Sequence, residues 1–338
     1  MTSLSLLAHI LVLVVPLVAV AVLIAGVVQN LKTNFIHQVT HNNLNIRSFE
    51  KFFSHFYALF GRATSPEQSR QRARQLTRFM VEWLGIIVIA PPVDEYRRSH
   101  IGIHHRADKV ASLDDEDTQF VQSLGFDPGL SVALYWHKLH RVLFSPVVHV
   151  RLFLLRVSMN LKYGSWWRRI GFILWWALVL TVAGQQGLLF AVIVGYLTAI
   201  GPVFQIAQIL QAITEHMHFA NPGGQNDKQW HAKVSHARFV GSMAPAEELH
   251  GAAWLYAWSR FWLEVVFIHL PVRWMILPGE LATHAAHHWW AGRADWTLAP
   301  YSYRDLKAQV PEHWVREYWG LKASLNAVFE GMADADSA

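Results

Sequence analysis

The stretch IGFILWWALVLTVAGQQGLLFAVIVGYLTAIGPVFQIAQILQAIT, residues 170–214, contains 45 residues and no Asp, Glu, Lys or Arg. A helix needs about 20 apolar residues to cross the hydrocarbon core of a bilayer. The run is therefore long enough for two crossings, and the GQQG sequence at 184–187 is typical of a tight turn between them. A buried helical hairpin of a soluble protein is the alternative, but the length favours membrane spans at 170–183 and 188–212.

A second uncharged region covers residues 1–31, of which 10–28 are nearly all Leu, Val, Ile and Ala. A cleaved signal peptide would have a basic start, a shorter apolar core and small residues at a cleavage site. The pattern instead favours a permanent membrane anchor at about residues 6–30. The segment 79–93 is apolar but short and ends at two prolines, so we interpret it as re-entrant or interfacial.

The composition of the 338-residue chain is that of a protein partly dissolved in lipid. Apolar residues make up 53% and charged residues only 16%, with 16 Trp and 19 Phe. Because there is no cysteine, disulfides, thiolate metal sites, iron–sulfur clusters and a cysteine nucleophile are excluded. The net charge of +5 comes from dispersed basic residues, which fits a membrane surface and argues against nucleic acid as a partner.

The basic residues all lie outside the three predicted spans. Residues 32–169 carry 19 of the 29 Lys and Arg, and residues 215–338 carry the other 10. The positive-inside rule places both blocks in the cytoplasm and the N-terminus outside. We therefore expect an all-α, multi-pass membrane protein that forms a single domain over 1–338. Its cytoplasmic helical cap would consist of residues 32–169 and 215–330.

Two further segments have a simple interpretation. Residues 252–277 are apolar but include Arg260, Glu264 and His269, which is typical of a helix that lies at the membrane surface or packs on the cap. The acidic run at 114–117 is interpreted as a solvated loop.

Histidine is abundant, with 20 residues, and part of it falls into four groups along the chain. Side chains three or four residues apart share a helix face, so a group can present two or three imidazoles to one point. Adjacent residues such as His104 and His105 diverge by about 100°, so they suit two neighbouring metal ions better than one. The groups are His37 with His41; His100 with His104 and His105; His216, directly after Glu215; and His284 with His287 and His288.

The predicted topology brings these groups to one side of the membrane. A continuing first helix carries His37 beyond the bilayer, and His216 lies at the end of the hairpin on the same predicted side. Neutral imidazole binds Fe, Zn, Cu and Ni. Although a lone HxxxH pair is more often a surface pair, nine histidines are too many for one metal ion and appropriate for two.

The remaining histidines receive plainer interpretations. His137 and His140 suit a helix on the membrane surface. The polar loop before the last group contains several more that would line an entrance, namely His218, His231, His236 and His250.

The order HxxxH, HxxxHH, Glu-His and HxxHH resembles the histidine boxes of the membrane fatty acid desaturase and hydroxylase superfamily. That superfamily includes acyl desaturases, alkane monooxygenases and desaturase-like 1-alkene-forming fatty acid decarboxylases. The similarity covers about residues 30–305 and extends to YRRS at 96–99, TEH at 214–216 and PGEL at 278–281. The first box departs from the family, since Gln38 and Asn42 stand where Glu and Gly are frequent.

The resemblance implies a dinuclear non-haem iron centre, with Glu215 beside the ligands. The ligands it implies are His37, His41, His100, His104, His105, His216, His284, His287 and His288. Such a centre uses O2 to oxidise an unactivated C–H bond of a fatty-acyl chain, with electrons from an external ferredoxin- or rubredoxin-type donor and its reductase. Desaturation is the favoured outcome. Decarboxylation of a free fatty acid to a terminal alkene is the second, and hydroxylation the third.

A metal transporter and a zinc-dependent membrane hydrolase are the alternatives from other classes of function. A metal transporter would place its ligands within the spans at the membrane midplane, whereas these boxes lie outside the predicted spans. A zinc-dependent membrane hydrolase would carry a motif such as HExxH, which the sequence lacks.

Overall fold

The computed structural model describes residues 3–42, 44, 47–59, 65–220, 228–239, 241–290, 298–312 and 316–335. These residues are mostly helical, as expected. The α-helices are α1 Ser3–Leu31, α2 His37–Thr40, α3 Arg47–Leu59, α4 Pro66–Ile87, α5 Val93–Ser99, α6 Glu116–Ser123, α7 Val132–Leu143, α8 Pro146–Lys162, α9 Trp166–Gln185, α10 Leu189–Ala191, α11 Phe204–Glu215, α12 Lys228–Val234, α13 Gly251–Glu264, α14 Leu270–Met275, α15 His284–Trp289, α16 Ala299–Gln309 and α17 Leu321–Ala333.

Other hydrogen-bond patterns join several of these helices. Gly279–Thr283 is a 3-10 helix that leads into α15. Wider, π-helical turns occur at Lys32–Ile36, His100–His104, Val192–Leu197, Ala199–Val203 and Val265–His269. Two short strands, β1 Ala237–Phe239 and β2 Glu317–Trp319, pair in parallel with Ala237 opposite Glu317. This pair is the departure from an all-α fold, and three-residue strands are too short to show a period in the sequence.

Three helices are long and apolar enough to cross a membrane, at Pro16–Thr40, Trp166–Gln185 and Leu189–Glu215. They correspond to the predicted spans near 6–30, 170–183 and 188–212. The first extends further than predicted because α1 runs through the π-helical turn Lys32–Ile36 into α2.

Two bent helix pairs would raise the number of spans to five if each crosses as one unit. Val132–Leu143 and Pro146–Lys162 meet at 67°, and Gly251–Met275 and Gly279–Trp289 meet at 105°. The second pair contains the segment 252–277, which was expected at the membrane surface. Its helix presents exposed Trp254 and Phe267 and packs against α1, where Gly26 leaves room for Trp274.

The buried Arg168 and the partly buried Arg156 hold the turn between α4 and α5, which leads to the second histidine box. Arg168 of α9 donates to the carbonyl oxygens of Glu82 at 2.9 Å and Ala90 at 2.8 Å, and it pairs with the Glu82 carboxylate. Arg156 of α8 donates to the carbonyls of Val88 at 2.6 Å and Ile89 at 2.9 Å. The turn is therefore fixed by charged donors from two neighbouring helices.

The C-terminal helix α17 closes the other side of the molecule. Its Phe329 is fully buried against the rings of Phe126 and Tyr135. The same core contains Ile213 of α11, which ends directly before His216. Packing of α17 thus fixes the end of the third candidate span, where a predicted ligand begins.

Candidate metal centre

Five of the predicted histidines converge on one point, and we call them the five-histidine group. The members are His37, His41, His100, His105 and His287, whose candidate ligand nitrogens all lie within 4.8 Å of one another. The Nε2 atom of His37 lies 3.0 Å from that of His100 and 3.1 Å from that of His287. The Nε2 atom of His105 lies 3.1 Å from both of those partners. His41 has a buried Nε2 with no hydrogen-bond partner, so all five can face a common ion.

The other four converge on an adjoining point and form the four-histidine group, His104, His216, His284 and His288. All four are buried. The Nε2 atom of His216 lies 3.1 Å from those of His104 and His284, and the Nε2 atoms of His284 and His288 are 2.9 Å apart. The rings of His105 and His288 stack at 4.4 Å. The two groups are therefore direct neighbours.

Each pair of adjacent histidines divides between the two groups. His105 and His287 belong to the five-histidine group, whereas His104 and His288 belong to the four-histidine group. This confirms the geometric expectation that neighbouring side chains on a helix diverge toward two points. Their role as ligands stays a prediction.

The division of the second box differs from the helical spacing used to interpret it. On an α-helix His100 and His104 share a face. Here the two larger groups divide them, although both also lie with Asp117 in a third possible metal-binding group. His100–His104 is π-helical, and the His105 N–H donates to the His100 carbonyl, five residues earlier, at 2.9 Å. Because the hydrogen bond spans five residues, this turn brings the ring of His105 to 4.6 Å from that of His100, while His104 stays at 5.0 Å.

The acidic run at 114–117 is not simply a solvated loop. Asp115 is fully buried, caps α6, and accepts from the Ala111 N–H at 2.8 Å. Both of its carboxylate oxygens lie 3.1 Å from His104 Nδ1, and Asp117 lies equally close to that atom. The carboxylate faces the ring nitrogen opposite the one that points into the group, an arrangement typical of metal-binding histidines.

Glu280 faces Nδ1 atoms of the five-histidine group, as Asp115 faces Nδ1 of His104 in the four-histidine group. Its Oε1 lies 3.2 Å from His287 Nδ1 and 3.8 Å from His37 Nδ1. Gln38, the residue that departs from the family pattern in the first box, donates to the same oxygen. Neither Asp115 nor Glu280 was assigned a role from sequence, because no spacing rule links a carboxylate to a histidine on another element.

The donor arrangement fits a bound cation. Glu280 can only accept, so a neutral His287 places its single proton on Nδ1 and leaves Nε2 bare. That bare nitrogen lies 3.1 Å from the Nε2 atoms of His37 and His105. Several lone pairs directed at one point in a buried site repel each other unless a positive charge lies between them. A metal ion would supply that charge.

The spacing of the nitrogens suits a shared metal ion in each group. At a metal–nitrogen distance of about 2.1 Å, two ligands of one ion are about 3.0 to 3.4 Å apart. The neighbouring Nε2 pairs of both groups are 2.9 to 3.1 Å apart. One ion can therefore contact several nitrogens of a group.

Burial determines the protonation of most of these rings. It lowers the pKa of His100, His105, His216, His284 and His288 well below the usual range, and neighbouring imidazoles lower it further. Neutral imidazole is the form that binds metal. Burial also disfavours charge on His104, but Asp115 and Asp117 outweigh it and raise the pKa of His104 to about 10. A metal ion on Nε2 would replace that proton.

Glu215 lies on the side of the four-histidine group that faces the ion. Its Oε1 is 3.3 Å from His284 Nε2, the nitrogen that points into the group. The residue was predicted to lie beside the ligands, and its position also allows it to act as an oxygen ligand.

The other histidines of the described ranges lie outside both groups. His137 and His140 are exposed on α7, in line with the surface interpretation. His269 contacts Ser242 at 2.9 Å. His231, expected near an entrance, stacks on the ring of His288 at 5.1 Å.

A cavity of about 380 Å³ adjoins the centre. His37, His100 and Glu215 are among the residues that line it. Its apolar lining residues include Leu152, Leu155, Met159, Phe204 and Ile209. Small-molecule sites are typically apolar clefts of this size with a few polar groups.

Comparisons with protein-family models, with curated proteins and with solved structures found no match to this chain. The fold and the site themselves define a class. The chain has at least three helices able to cross a membrane and two adjoining histidine groups that could each hold a metal ion.

Proposed function

We propose that this protein is a membrane-bound non-haem diiron enzyme that uses O2 to oxidise an unactivated C–H bond of a fatty-acyl chain, most simply by desaturation. The observation that carries the proposal is the division of nine histidines into two adjoining groups that could each hold a metal ion. The order of the boxes in the sequence supports the same class.

Two iron ions held there would supply the oxidising chemistry. In desaturation O2 accepts four electrons, two with the hydrogens that leave the chain and two from an external donor, and two protons from solvent complete two waters. The chain offers no cysteine for an iron–sulfur cluster, so a ferredoxin- or rubredoxin-type partner would deliver the donor electrons. The exposed Arg97 and Arg98 beside the second box could attract such an acidic partner.

The residues of the chain provide position, polarity and exclusion of water. Asp115 and Glu280 hold protons at Nδ1 of their histidines, so that Nε2 faces the ions. The apolar wall of the cavity, with Leu155 and Phe204, would hold an acyl chain beside His37 and His100. Excluding water from such a wall strengthens the electrostatic interactions in the site.

The two rival classes receive less support. Both histidine groups form one buried cluster at the ends of Pro16–Thr40 and Leu189–Glu215 rather than at their midpoints, which is unlike a transporter site. A zinc hydrolase needs only three ligands and a tetrahedral site. Nine histidines in two adjoining groups argue against it.

Metal analysis of the purified protein tests the proposal. We expect two irons per chain, and oxidation of C8–C18 fatty substrates, followed by mass spectrometry, only when O2 and a reducing system are present. His104→Ala and His287→Ala should each lower bound iron and abolish turnover. His137→Ala, an exposed histidine outside both groups, should do neither. One zinc per chain, or iron loss in His137→Ala but not in His104→Ala, would contradict the proposal.

A further inference from the structure

Helix α8 carries its polar side chains inside the protein and its apolar side chains outside. His149 and Asn160 are buried, and the partly buried Arg156 donates to backbone carbonyls of neighbouring segments. The opposite face is a row of apolar side chains that are 40 to 76% exposed, namely Val147, Val150, Leu154 and Leu161. This distribution is the reverse of that of a water-facing helix. The outer face of α8 therefore requires an apolar environment.

The exposed charges that accompany this face are all positive. No Asp or Glu occurs in residues 128–214, a stretch that includes α7, α8 and α9. Arg151 lies within the apolar row, and Arg141 and Lys162 lie before and after it in the chain; all three are exposed. In the part of the chain that the structure describes, none of them forms an ion pair with a carboxylate. An apolar and cationic surface of this kind fits a membrane with negative headgroups.

The histidine groups determine whether this part of the chain crosses the membrane. The Nε2 atoms of His104 and His216 lie 3.1 Å apart, so both residues are on one side of the hydrocarbon core. The two candidate spans between them, Trp166–Gln185 and Leu189–Glu215, together return the chain to the side from which it left. A crossing by α8, alone or with α7, would be a third and would place His216 on the opposite side from His104. The contact between these histidines therefore requires that α7 and α8 do not cross.

The start of α9 indicates the depth at which α8 ends. Tyr163 follows α8 and Trp166 begins α9, and their side chains are 50% and 75% exposed. Exposed Tyr and Trp at the end of a span are typical of headgroup depth. Because α9 enters the membrane there, the end of α8 lies at the same boundary.

We infer that α8 lies in the plane of the membrane interface, with its apolar row among the acyl chains, and that Arg141, Arg151 and Lys162 bind the phosphates of anionic phospholipids. A helix that faces lipid without crossing has this arrangement. Guanidinium groups pair with phosphate oxygens, and long basic side chains reach the headgroups from a partly immersed helix. A zwitterionic lipid adds an ammonium group for which this surface has no carboxylate. The inference does not depend on the reaction proposed above.

The depth of single labels tests the position of α8. Because the native chain has no cysteine, Val147→Cys, Leu154→Cys and Leu161→Cys can each carry one environment-sensitive fluorophore. The full-length protein is placed in vesicles of phosphatidylcholine and phosphatidylglycerol, and lipids brominated at defined acyl positions quench the label. We expect all three labels at one shallow depth, about 5–10 Å below the headgroups. Leu174→Cys, at a position 63% exposed within α9, is the control and should lie deeper.

A crossing helix or a helix covered by protein gives a different result. If α8 crossed, the labels at positions 147 and 161 would lie near opposite surfaces and the label at position 154 near the bilayer centre. That outcome would overturn the inference. Absence of quenching at all three positions would also overturn it, because the apolar row would then be covered by something other than lipid.

The choice of headgroup is tested with the label at position 154. Quenching by brominated phosphatidylglycerol is compared with quenching by brominated phosphatidylcholine, which gives the relative affinity of the two lipids beside α8. We expect a preference of about fivefold or more for phosphatidylglycerol, because one basic residue near an anionic surface contributes about that factor. The preference should weaken with added salt. It should fall to near unity when Arg141→Gln, Arg151→Gln and Lys162→Gln are combined.

Matched variants separate a local site from the total charge of the protein. Lys233→Gln, Arg304→Gln and Lys322→Gln together remove the same charge from exposed positions near the C-terminus and should leave the preference unchanged. Arg141→Lys with Arg151→Lys keeps the charge and should retain the preference, which separates loss of charge from loss of folding. Equal quenching by the two lipids in the parent protein, or equal loss in both charge-removing variants, would reject anionic lipid as the ligand of this surface.

Discussion

The histidines of the two groups differ in what contacts Nδ1, the second nitrogen of the ring. Asp115 contacts Nδ1 of His104, and Glu280 contacts Nδ1 of His287. Ser235 Oγ lies 3.0 Å from His216 Nδ1. The Nδ1 atoms of His284 and His288 are buried and have no hydrogen-bond partner. Carboxylate partners raise ligand basicity and fix the ring, so His104 and His287 should be the most strongly binding members of their groups.

Replacing Asp115 by Asn should weaken metal binding without removing a ligand. Asparagine keeps an oxygen that can cap α6 but loses the charge behind His104. We expect iron affinity to fall about 10- to 100-fold, measured by competition with a chelator of known affinity.

The neighbouring Asp114→Asn variant is the control for that experiment. Asp114 is exposed and faces Lys109 at 3.7 Å, away from the histidines. It should release iron like the parent protein. Equal iron retention by Asp115→Asn and the parent would show that the Asp115 carboxylate does not tune the metal.

The histidines could be predicted from sequence because each box is local. His37 and His41, or His284 and His288, are one turn apart on the same helix. Asp115 and Glu280 were missed because their partners are brought to them by tertiary packing. The alignment of His100 with His105 was missed because a π-helical turn has no sequence signature among the rules of α-helical spacing.

Among the elements, the turn between α4 and α5 has the largest effect on where the second histidine box lies. Arg168 ties this turn to α9, and Asn160 of α8 accepts from Arg168 at 2.8 Å. The second histidine box directly follows α5. The position of His100 therefore depends on a buried ionic network that contains none of the nine histidines.

Arg168→Met should destabilise the protein by about 3–5 kcal/mol, because it leaves the buried Glu82 carboxylate without its partner. A fall in thermal unfolding temperature in detergent measures this, together with lower iron content as the second box loosens. Arg169→Met alters the adjacent but exposed arginine and should change neither quantity. Similar unfolding temperatures for the two variants would rule out a structural role for the Arg168 network.

The candidate spans were predictable because an uncharged run of sufficient length has few alternatives. The bent pairs were not, since α8 and α13 mix apolar residues with charges such as Arg151 and Arg260. The pairing of β1 with β2 joins residues far apart in sequence and depends on how α17 packs.

At the scale of the whole molecule, the centre restricts how the chain can cross a membrane. The histidines of the two groups come from the end of the first candidate span, from the segment after α5, from the end of the third span, and from α15. All lie within one cluster. They must therefore be on the same side of a hydrocarbon core about 30 Å thick. The number of crossings between them must be even, whether or not the bent pairs enter the membrane.

The distribution of Lys and Arg predicts that this side is the cytoplasm, and single introduced cysteines can test it because the chain has none. Cysteine at Gln185, exposed at the end of α9, should react with an impermeant maleimide added to intact cells. Cysteines at Glu67, Asp114 and Met243, also exposed, should react only after lysis. The reverse pattern would invert the orientation and leave the centre intact. Outside labelling at Asp114 but not at Glu67 would put a crossing between them, at α4 or α5. That result would reject the packing that brings His37 and His100 together, and with it the metal centre.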